Sequence, residues 1–146
     1  MKRKKESKKF YFVEVEPQSC SPEEIEIHLR AFGKAFIQSN HLERWNHITL
    51  EKPEKAKNES SKLASYFDER FFRTLKGSES FPDSLFESFG NKLGIYFDGV
   101  EPACKITASE ASSLAAERDL DTLFSITPGK LALFFYHSGD TLLCER

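Results

Sequence analysis

The sequence has few cysteines, and none stand at a useful spacing. Cys20, Cys104 and Cys144 lie 84 and 40 residues apart. That excludes a CxxC pair, a zinc ribbon and a zinc finger, and the odd count argues against a disulfide scaffold. Long apolar runs are also missing. Leu131–Tyr136, six residues, falls far short of the roughly 18 that a membrane-spanning helix requires. The seven glycines are scattered, so no glycine-rich loop can cradle a phosphate. There is no Gly-x-Ser-x-Gly elbow and no HExxH.

The four histidines are equally dispersed. His41 and His47 are six apart, not the four that would place two ligands on one helix face. His28 sits near an apolar helical stripe and reads as a packing residue. The best thiol–imidazole combination is Cys144 with His137, and a lone thiol is more often a small core residue than a nucleophile. The 23 acids contain no pair that stands out. No catalytic, metal or cofactor site is therefore expected, and binding is expected ahead of catalysis.

What is present is aromatic and charged. Fourteen Phe, four Tyr and one Trp in 146 residues supply enough large apolar surface for one domain with a real core, because each buried ring removes about 150–250 Å² from water. The net charge of −2 hides an asymmetry. Lys2, Arg3, Lys4, Lys5, Lys8 and Lys9, against Glu6 alone, give residues 2–9 a charge of +5, which leaves −7 on the rest. This predicts a flexible basic arm over residues 1–9 joined to an acidic single domain over 10–146. After the arm, Phe10–Val15 is too short for the core of a signal peptide and runs into Glu16-Pro17, so a cytoplasmic location is expected.

Along the chain, Phe10–Glu16 reads as a half-buried strand. Ser21-Pro22-Glu23-Glu24 is a helix start with cap, first-turn proline and capping-box acid. Ile25, Leu29, Phe32 and Phe36 follow at helical spacing, with Gly33 placed to let a neighbour approach. Trp45 anchors an ambiguous segment, and His47–Glu51 reads as a short strand. Residues 52–59 read as an exposed charged linker. A second helix is expected from about Ser61 to Lys76, on Leu63, Phe67, Phe71 and Leu75, with Gly77 as its stop. A short helix is expected over Pro82–Phe89 and a strand over Leu93–Phe97. Val100–Lys105 reads as irregular. Thr107–Glu110 is a second capping box that opens a helix to about Arg118, which Asp119–Ser125 continues or restarts. Thr127-Pro128-Gly129 turns the chain into a C-terminal β-hairpin around Ser138-Gly139-Asp140. The sum is an α+β fold: a mixed sheet of about five strands with three to four helices.

Three kinds of function suit this profile. The first is a small protein that binds and occludes another protein, in the general manner of immunity proteins or toxin inhibitors; the acidic body suits a basic partner. The interface expected is Tyr66, Asp68, Glu69 and Phe72, where the second helix is apolar over a wider arc than one contact needs. The second is a nucleic-acid-associated accessory protein using the arm, although no aromatics are interleaved with its lysines to stack on bases. The third is a small enzyme whose site is assembled from distant residues.

Overall fold

The structure, a computed structural model, describes residues 20–53, 55, 63–75, 91–99, 102–118, 121–136 and 140–146. The basic arm, the expected strand at Phe10–Glu16, the stop at Gly77, the helix at Pro82–Phe89, the hairpin turn at Ser138-Gly139 and most of the 52–59 linker lie outside these residues. Lys52, Pro53 and Lys55, the described part of that linker, are exposed.

The fold is α+β. Among the described residues six strands form one sheet: β1 Phe72–Leu75, β2 Leu93–Phe97, β3 Cys104–Thr107, β4 Thr122–Thr127, β5 Leu131–Phe135 and β6 Thr141–Glu145. Their order is β1-β6-β5-β4-β2-β3. Every neighbouring pair is antiparallel, so the expected mixed sheet of about five strands is corrected, among the described residues, to an antiparallel sheet of six. β5 lies in its middle, pairing with β4 on one side and β6 on the other. Gly129 takes a φ of 70° in the turn between β4 and β5, where Lys130 N donates to Thr127 O at 3.0 Å.

Each face of the sheet is covered. Helix α1, Pro22–Phe36, begins as its residues dictate: the Ser21 hydroxyl accepts from Glu24 N at 3.1 Å, with Pro22 in the first turn. Its stripe buries Leu29, Phe32 and Phe36 on one face of the sheet, against Phe97, Leu123, Ala132, Phe134, Leu142 and Cys144. Gly33 has a specific use. A Cβ there would lie 2.7 Å from Trp45 Cδ1, so glycine is what lets the indole approach α1 this closely. Trp45 belongs to a short helix, α2, Leu42–Asn46, and its Nε1 donates to Leu29 O at 3.3 Å.

The opposite face is covered by α3, Ala108–Arg118. Thr107 Oγ1 accepts from Glu110 N at 3.2 Å, and Glu110 Oε1 accepts from Thr107 N at 2.8 Å, a reciprocal capping box. Ala108, Ala111 and Ala115 face Tyr96, Ile106, Phe124, Leu133, Phe135 and Leu143. The far end of α3 is pinned by Arg118, whose guanidinium donates to the buried Asp98 carboxylate at 2.6 Å; Tyr96 OH donates to the same oxygen at 3.1 Å. Burial in this cluster drives the Tyr96 hydroxyl pKa well above its ordinary value, with the Asp98 charge adding to it.

Four local expectations are corrected. His47–Glu51 is a π-helical turn continuing α2, because Trp45, Ile48 and Thr49 bury together at helical spacing. The expected second helix is two 3₁₀ turns, Ala64–Tyr66 and Glu69–Phe71, followed by β1. Of the stripe Leu63, Phe67, Phe71 and Leu75 only Leu75 lies in β1, whose pairing with β6 takes the place of a helix there. Part of the irregular Val100–Lys105 stretch is β3, which starts after Pro102. Thr122–Ser125 is not helical but lies in β4 between β2 and β5. Two threonines and an isoleucine in β4 favour extended backbone.

Candidate functional site

The segment that replaces the expected second helix is tied to the end of α1. Gln38 N donates to Tyr66 O at 2.9 Å, Asp68 N donates to Phe36 O at 2.7 Å, and Ile37 and Phe67 form an isolated antiparallel bridge. The Gln38 side-chain amide adds two bonds, to Ser65 O at 3.2 Å and Phe67 O at 3.1 Å. Phe67 becomes the keystone. Its ring lies 4.9 Å from Phe134, 5.4 Å from Phe32 and 5.9 Å from Phe72.

Between these two strapped segments lies a cleft of about 490 Å³. Gln38, Ser39, Asn40 and Ser65 supply polar walls, and Asp68, Glu69, Arg70 and Phe72 the rest of the lining. Of the four residues expected at an interface, Asp68, Glu69 and Phe72 line this cleft. The fourth, Tyr66, stands beside it with its ring 4.9 Å from His41. They come together through turns and a strand rather than along a helix. Tyr66, Phe71 and Phe72 are half-buried. Phe71 is further flanked by two guanidinium groups, Arg146 at 4.0 Å and Arg70 at 5.0 Å from its ring centre.

The electrostatics differ from a simple acidic patch. Arg70 grips Asp68 through both carboxylate oxygens, the shortest contact at 2.6 Å. These bonds hold the Asp68 carboxyl down at about 2. Much of the charge expected of Asp68 is therefore answered within the cleft, and exposed Glu69 presents the less encumbered negative end. The roles of Gln38, Arg70 and Arg146 were invisible from sequence: Gln38 and Arg146 are far from the 66–72 stretch along the chain, and only tertiary pairing brings them to it.

The chemical alternatives fare differently. Cys144 is fully buried among the α1-side core residues, and burial alone drives its thiol pKa far up, so it is a packing residue; His137 lies outside the described residues. A serine–histidine contact does exist: His28 Nδ1 lies 2.7 Å from Ser125 Oγ. Both side chains are buried between α1 and β4, with no access for a substrate. They satisfy each other's hydrogen-bonding needs inside the core. Among the described residues, no cluster of three or more His, Cys, Asp or Glu could hold a metal ion, and no helix is long and apolar enough to cross a membrane.

A second concavity, about 680 Å³ and mainly apolar, runs along α1 past Ile25 and Leu29 to Leu50, Phe97 and Ala103. Its walls at Pro53, Gly99 and Pro102 adjoin residues outside the described set. The cleft at Gln38–Phe72 is the better defined of the two, because described hydrogen bonds brace both its walls. Compared with protein-family models, curated proteins and solved structures, the chain matches none of them.

Proposed function

We propose that this chain is a small protein-binding protein that acts by occluding its partner, of the immunity or inhibitor type, and that it does so through the cleft at Gln38–Phe72. One observation carries the reading: Asp68, Glu69, Arg70 and half-buried Phe72 line a concavity whose backbone is braced on both sides, and half-buried Tyr66 and Phe71 neighbour these residues along the chain. Partly buried aromatic side chains with arginines beside them are what protein interfaces use as anchors. Specificity for a basic partner would come from Glu69 and the acidic balance of the chain outside its arm.

The test compares the wild-type chain with Tyr66→Ala and Phe72→Ala as baits in the native host, followed by affinity measurement on the partner recovered. Each substitution should weaken binding by about 2 kcal/mol or more, the scale of interface hot spots. A partner held equally well by wild type and both variants would remove this cleft from the interface.

A further inference from the structure

Two of the three cysteines lie at the same edge of the sheet, Cys20 beside the backbone that leads into β3 and Cys104 with its side chain toward the α3-side core. Cys20 stands just before the α1 cap, and its thiol donates to the carbonyl oxygen of Ala103 at 3.8 Å. That carbonyl belongs to the peptide unit leading into Cys104, the first residue of edge strand β3. Both cysteines are partly exposed, whereas Cys144 is wholly buried. Cys20 and Cys104 also interact electrostatically: charge on the Cys20 sulfur makes the Cys104 thiol harder to ionise.

We propose that Cys20 and Cys104 are a reversible disulfide site, closed by a small-molecule disulfide of the oxidised-glutathione class. The thiolate of Cys20 attacks one sulfur of the oxidant, which makes a mixed disulfide and releases one glutathione thiolate. The thiolate of Cys104 then attacks the Cys20 sulfur, closing the protein bond and expelling the second glutathione. Two protein thiols are oxidised, one external disulfide is reduced to two thiols, and the two protons pass to the released thiolates. The bond would tie the chain entering α1 to the outer edge of β3. That edge is opposite β1 and the Gln38–Phe72 cleft, so the site does not depend on the binding function proposed for the cleft.

The environment sets the conditions. Burial pushes the Cys104 thiol up to about 11, and burial with the neighbouring Glu24 charge raises that of Cys20 while Lys105 opposes the rise. Both groups are protonated at neutral pH, so closure should be slow there and faster under mildly alkaline conditions.

The experiment incubates the full chain with excess oxidised glutathione at mildly alkaline pH, then quenches, alkylates and maps peptides without reduction. The expected product is a monomer with Cys20 joined to Cys104 and Cys144 still free. Its Tm should be shifted upward, and dithiothreitol should reverse the shift. Cys20→Ser should stop at a glutathione adduct on Cys104, and Cys104→Ser at an adduct on Cys20. Unreacted thiols, stable adducts on both cysteines of the wild type, crosslinked dimers or a bond to Cys144 would each overturn the proposal.

Discussion

The two faces of the sheet are packed by different means. The face under α1 and α2 is aromatic: Phe32, Phe36, Trp45, Phe67 and Phe134 are all essentially solvent-free. The face under α3 meets its helix through alanines at 108, 111 and 115, with the large rings supplied by the sheet. The polar devices differ too. A neutral His28–Ser125 contact sits under α1, and a charged Asp98–Arg118 pair with Tyr96 pins α3. Interlocked rings can hold an irregular segment such as Ala64–Phe71 in place, because each ring contacts several others. An alanine stripe can hold only a regular helix lying close to the sheet. That is why the cleft sits on the aromatic side.

The comparison breaks most sharply if the two faces are mutated in opposite directions. Phe67→Ala should cost about 3–5 kcal/mol in denaturant unfolding, the usual loss for a buried ring with its cavity. Tyr66→Ala and Phe72→Ala should cost less, since neither residue is fully buried. On the other face the harmful change is enlargement: Ala111→Leu should destabilise by about 1–3 kcal/mol through overpacking. If Ala111→Leu proves neutral, α3 does not lie close on the sheet. If Tyr66→Ala or Phe72→Ala unfolds the chain as badly as Phe67→Ala, those rings are core and are not available to a partner.

A pH titration separates the polar devices. His28 is buried against Ser125, with Glu24 and Lys105 nearby; desolvation lowers its pKa below the ordinary 6.5, outweighing the opposite pull of Glu24. Well above pH 6.5 His28 is neutral in both folded and unfolded chains and contributes no slope. Below it the unfolded chain binds the proton first, so stability falls with acidification until the folded pKa is passed. His28→Gln should flatten that part of the stability–pH curve while leaving Ser125 a partner. An unchanged slope in the variant would mean that other groups carry the acid sensitivity.

What could be read from the sequence follows the same division. Helix α1 was legible because cap, proline, stripe and Gly33 all pointed to one conformation. The start of α3 was legible from its capping box and the inner strands β2 and β5 from their apolar runs. β1 was not legible: Leu63, Phe67, Phe71 and Leu75 fit a helix, yet Phe67 and Leu75 end in cores on opposite faces of the sheet. β4 was obscured by the helix-forming residues before it, although Thr122, Ile126 and Thr127 carried a strand signal. The cleft residues Tyr66, Asp68, Glu69 and Phe72 were picked from a helix that does not form. They still lie together, because the chain is contiguous there and Gln38 straps it to α1. Arg70's hold on Asp68 is a two-residue contact that needs a turn, and no helical reading would have suggested it.

That hold limits the smallest effect to be expected. A free acidic rim residue would steer a basic partner, and its neutralisation would slow association at low salt. Asp68, however, is already engaged by Arg70 through both carboxylate oxygens, and those bonds are what keep its pKa near 2. Its contribution to stability should be present above the ordinary carboxylate value of 3.8 and lost only as pH falls through about 2. Asp68→Asn removes one negative charge, so its pair with Arg70 goes from neutral to a single positive charge and attracts a basic partner less. Arg70 is exposed and Asp68 part-buried beside it at the surface, where single pairs count for little, and the association rate at low salt should drop only about twofold. Glu69→Gln removes the same single charge and should do no more. A tenfold loss from Asp68→Asn alone, with Phe72 still fully competent, would instead make the carboxylate a direct contact and Arg70 its positioning residue. Arg70→Ala would then be expected to reproduce much of that loss.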